Sequence, residues 1–121
     1  MQIQVMNHPM QSNVTQADAA DWVEARLALP QASGTTRTLF HSIVWQYIPP
    51  DRRERIQAAM DKAGSSATPE RPLAWVMLET NRETFRHELK VRHWPGPGIW
   101  HLLGEAHPHG AWVKWFGLSP A

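Results

Sequence analysis

Apolar side chains gather in a few runs along this chain, and the polar residues between them set what each run can become. The first twelve residues show a short alternation at Ile3 and Val5 before Pro9, which suits a brief strand or a loose terminus. From Asn13 the spacing changes to helical. Ala19, Trp22, Val23, Arg26 and Leu27 fall along one side, Thr15 and Asp18 offer a capping-box start, and Pro30 ends the run. After the turn-rich QASGTT comes RTLFH, an apolar strand with no charge after Arg37. It is followed by SIVWQYI, a short helix stopped by Pro49-Pro50. Pro50 and Asp51 suit the first turn of a second helix, since proline lacks only an N–H that would be unpaired there and the carboxylate meets the positive end of the dipole. That helix is expected over Pro50 to Ala63, with Ile56, Ala59, Met60 and Ala63 inward and Gly64 at its C-terminus.

Past the linker SSATPERP the period drops to two. LAWVMLE is apolar at both parities, as a central strand buried on two faces should be. Then FRHELKVRHW alternates, placing Leu89, Val91 and His93 on one side and Glu88, Lys90, Arg92 and Trp94 on the other. The turn PGPG, the run IWHLLGEA, the turn HPHG and the closing AWVKWFG complete an antiparallel meander with one wetter face. Strands alternating with helices predict parallel pairing and right-handed crossovers, so the fold class is α/β. The expected organisation is a short N-terminal segment over 1–12 and a single domain over 13–121.

Composition narrows the possible functions. With 42% hydrophobic and 19% charged residues, the 121-residue chain is set to fold around a core. Its net charge of +1 gives no electrostatic reason to bind nucleic acid or an anionic membrane. It has no cysteine, which excludes disulfides, thiolate catalysis and cysteine-held zinc. No apolar run approaches the roughly 20 residues needed to span a bilayer, and a cytoplasmic location is expected.

Two resemblances rest on particular segments. TLFHSIVWQYIPPDRRERIQAAMDKAG looks like the fourth strand and following helix of class I S-adenosylmethionine-dependent methyltransferases. PLAWVMLE resembles their fifth strand, and the final meander their closing antiparallel pair. More specifically, ADAADWV, FHSIVWQY, PLAW and HGAWVKW, in that order, are similar to the C-terminal part of an uncharacterised bacterial family, domain of unknown function 2332. These resemblances imply a partial doubly wound, methyltransferase-like mixed sheet with two parallel strands, a C-terminal antiparallel meander and two main helices. The chain departs from the methyltransferase pattern at its start: residues 1–12 offer no strand, glycine-rich turn and helix in sequence to cradle the cofactor. S-adenosylmethionine is therefore expected only if a partner completes the site.

Candidate site residues follow from position. His41 and Ser42 end a strand where α/β folds place ligand crevices, so both are pocket-lining candidates, with His41 a conceivable general base. The plainer reading has Ser42 capping the short helix and His41 bonding a loop carbonyl. By the methyltransferase resemblance Asp18 would contact an adenine, whereas locally it needs only to cap a helix. His101, His107 and His109 share parity, yet zinc needs three or four converging ligands and Glu105 is the one acid close by, so no metal is expected. Trp94 and Trp112, taken to lie on the exposed side of the meander, are interface candidates, because bare aromatic rings call for a partner. Lacking neighbouring strands, the RTLFH strand becomes an edge that invites pairing. The expected function is a non-catalytic homodimeric binding or interaction module with a possible small-molecule ligand. The alternatives are a subunit of a split methyltransferase and a residual enzyme built around His41 at a dimer crevice.

Overall fold

The computed structural model describes residues 2–7 and 11–117. Strands β1 (Gln2–Asn7) and β2 (Gln11–Gln16) pair antiparallel as a separate two-stranded sheet. Residues 11–16 are therefore strand, where the sequence reading began a helix at Asn13. Thr15 lies in β2, and Asp18 caps α1 (Ala19–Leu27). Met1 and Pro9 lie outside the described residues.

A five-stranded mixed sheet follows in the order β3–β4–β5–β6–β7. β3 (Arg37–Ser42) runs parallel to β4 (Leu73–Thr80) through the crossover helix α2 (Pro50–Ser65). β5 (His87–Trp94), β6 (His101–Ala106) and β7 (Val113–Trp115) then add one after another, each antiparallel to the last. A 3₁₀ turn, Trp45–Tyr47, joins β3 to α2. None of the described helices is long and apolar enough to cross a membrane.

One core holds this together. Ala19, Ala20 and Val23 of α1 and Ile56 and Met60 of α2 meet Leu73, Trp75 and Met77 of β4, with Trp94 beside them. Along β4 every second residue is buried, so Leu73, Trp75, Met77 and Glu79 face the helices while Ala74, Val76 and Leu78 face the other way. Both helices share the core on that single face, and the second face carries no helix among the described residues. The class is α/β, with an open mixed sheet and two helices.

Trp94 corrects an expectation. It is 6% exposed and lies in the core, so it is not a bare ring on the meander. Two glycines explain how the indole fits. A Cβ on Gly64 would stand 2.5 Å from the Trp94 ring, and one on Gly98 would collide with its Nε1. Gly64 therefore lies inside α2 as a smooth contact for the indole; the helix runs on to Ser65. Arg92 closes over the same region. Its guanidinium carbon lies 4.6 Å from the Trp94 ring centre, 5.4 Å from Trp100 and 5.7 Å from Trp75, while the side chain bonds Asp61 and the Gly98 carbonyl.

Candidate functional site

The carboxyl ends of β3 and β4, where a parallel pair of this kind places its ligand crevice, are organised by a buried acid. The in-facing positions of β4 run Leu73, Trp75, Met77, Glu79, so the alternation that buries three apolar residues also buries a carboxylate. Such a group costs several kcal/mol unless it is bonded. Glu79 receives the backbone N–H of Val44 at 3.1 Å and of Trp45 at 3.1 Å, and His41 Nδ1 lies 2.6 Å from its Oε2. Ile43, at φ +50°, bends the backbone so that the two amides after it converge on Glu79.

The other imidazole nitrogen is also used. The Trp75 indole N–H donates to His41 Nε2 at 2.9 Å. An indole nitrogen can only donate, so Nε2 must present its lone pair and the proton sits on Nδ1, donated to Glu79. Trp45 stacks on the imidazole at 5.2 Å, with the ring planes 16° apart, and meets Trp75 edge-on at 5.6 Å. His41 is thus clasped by an acid, two tryptophans and the sheet.

Consecutive strand residues point to opposite faces, and this separates the two candidates at the end of β3. His41 turns toward the helices. Ser42 is exposed, pairs with Leu78 in the register and faces the open side. The expected capping role for Ser42 is also corrected, because Val44 occupies the N-cap of the 3₁₀ turn and no side chain caps it.

Asp18 is a helix cap. Its Oδ1 accepts the Asp21 N–H at 3.0 Å, and its other oxygen pairs with Arg52 of α2. Its carboxyl is held below the usual carboxylate range mainly by the Asp21 amide, with Arg52 acting the same way against partial desolvation. Beside it, Arg55 of α2 donates to Glu24 through Nε at 3.1 Å and Nη2 at 2.5 Å, and through Nη2 to Asp21 at 2.8 Å. This clasp holds the Glu24 carboxyl low.

Two small clefts open at this end. One of about 410 Å³ is lined by Trp45, Tyr47, Arg53, Glu79, Thr80 and Arg82. The other, about 420 Å³, lies between Asp18, Val44, Tyr47, Pro49 and Arg52. The larger cleft, about 740 Å³ between α1 and α2, lies toward the amino-terminal ends of the parallel strands, away from the switch point. Among the described residues no three His, Asp or Glu side chains come together as a metal site. His101 stacks instead on His93 at 5.7 Å, and His107 lies beside His109 in a turn. Trp112, 51% exposed, stands free of the core.

Glu79 is absent from the candidates the sequence offers because it lies 38 positions from His41. The signal was present: an acid at the inward parity of the most apolar strand.

No curated protein and no solved structure matches the chain. Residues 2–115 match the family described as an uncharacterized protein conserved in bacteria (DUF2332), and the chain belongs to that family.

Proposed function

We propose that this chain is a non-catalytic, methyltransferase-like α/β module that acts as a homodimer, binding a partner or a small ligand instead of turning over a substrate. The observation that carries the reading is the engagement of both His41 nitrogens at the position where chemistry would be expected. A general base needs a lone pair aimed at substrate, and Nε2 spends its own on Trp75. The residues at hand also fit an adenosyl group poorly. Asp18 would have to leave the Asp21 amide and Arg52 to reach an adenine, and none of the described glycines lies in a turn leading from a strand into a helix, where a cradle would be.

Titration calorimetry with S-adenosylmethionine and with its demethylated product tests this. No binding tighter than about 100 μM, or roughly 5–6 kcal/mol, is expected; tighter binding to the chain alone overturns the reading. The outer edge of β3, unpaired among the described strands, favours one second reading, a subunit whose neighbouring strands come from a separate chain. In that case mixing with the partner chain restores cofactor binding.

A further inference from the structure

We infer that the open face of the five-stranded sheet packs against the same face of a second copy of this chain, forming a two-sheet sandwich. The inference rests on the homodimeric reading above and names its surface. The register puts Phe40, Val76, Leu78, Leu89, Val91 and Trp115 on that face, opposite the helices. Phe40 and Trp115 are each 63% exposed. β4 is apolar at both parities, as strands covered on both sides are, yet among the described residues helices cover one side alone.

Three features select a second copy as the occupant. First, none of the strand positions assigned to this face is Asp, Glu, Lys or Arg, so the surface can meet itself about a two-fold axis without opposing like charges. Second, its polar groups lie at the ends. The His93–His101 stack marks one and the Thr80–His87 hydrogen bond the other, leaving an apolar centre inside a polar margin, as interfaces are built. Third, the size is sufficient. Five strands about 4.8 Å apart and roughly 20 Å long offer about 500 Å² per copy, or about 1,000 Å² for two. That reaches the lower bound of a specific interface, about 1,000 Å².

Sedimentation equilibrium at tens of micromolar tests this. The wild type is expected at twice the 13.8 kDa chain mass. Phe40→Glu and Trp115→Glu, at exposed positions, are expected to raise the dissociation constant at least tenfold with the circular dichroism spectrum unchanged, whereas Tyr47→Glu on the helix side leaves it alone. Because the chain has no cysteine, Val76→Cys supplies a single thiol near the centre of the face, which a short bis-maleimide should link between copies; Tyr47→Cys should not link. This arm decides the matter if a glutamate variant folds poorly. A dimer that survives both glutamates and does not link at position 76 overturns the face but leaves the homodimer standing. A single 13.8 kDa species at every concentration overturns both and leaves the face to another chain.

Discussion

Glu79 stands where the alternation of β4 calls for another apolar side chain, and three donors make it tolerable there. Glutamine at the same place keeps the shape and its one oxygen can still accept from the Val44 and Trp45 amides, but its NH2 would then stand where Oε2 accepts from His41 Nδ1, donor against donor. Glu79→Gln is expected to cost about 1–3 kcal/mol, read as a lower urea midpoint at unchanged slope. Ser42→Ala, one residue along from His41 but on the open face, should stay within about 0.5 kcal/mol of wild type. The sequence marked both His41 and Ser42 by their position at a strand end. Only the register distinguishes them, because a strand alternates its faces residue by residue.

At the level of helices and strands, intrinsic propensity and packing pull in opposite directions at Gly64. Alanine there should favour the helix by about 1 kcal/mol. Its Cβ, however, would lie 2.5 Å from the buried Trp94 ring, and overpacking of that kind costs typically about 1–3 kcal/mol. Packing is expected to dominate, so Gly64→Ala should lower the melting temperature. The clasp between α1 and α2 predicts a pH dependence. Asp18 and Glu24 both titrate below their ordinary range in the folded chain. Groups with a lowered folded pKa contribute stability above the unfolded values of about 4, and that contribution is lost as pH falls through the folded ones. The melting temperature should therefore fall below about pH 4, and the fall should be shallower in a variant carrying Asp18→Asn with Glu24→Gln. Asparagine at 18 keeps the cap, so the comparison isolates charge. Both helices and the succession of strands from β3 to β7 could be read from period and caps. The start of α1 could not, since the turn from β2 into Asp18 has no apolar rhythm of its own.

For the molecule as a whole, the two-sided apolar pattern of β4 predicts burial on both faces, and among the described residues the helices cover one of them. Local pattern reports what a strand is suited to touch, but it does not say which chain supplies the contact. The same limit applies to the doubly wound expectation, because the helices lie together on one side. Belonging to a bacterial family does not change this, since fold and family do not by themselves supply a reaction.

The strand order also bears on how the chain assembles. Every pairing after β4 joins neighbours in sequence, whereas Arg37 must find Leu73 across the whole of α2. Closing that loop costs entropy before any contact repays it, which makes β3–α2–β4 the natural nucleus. Shaving Ile56 to valine should then slow refolding in stopped-flow, while Val113→Ala at the far margin should mainly hasten unfolding. Growth would proceed in one direction, each hairpin laid against a finished edge.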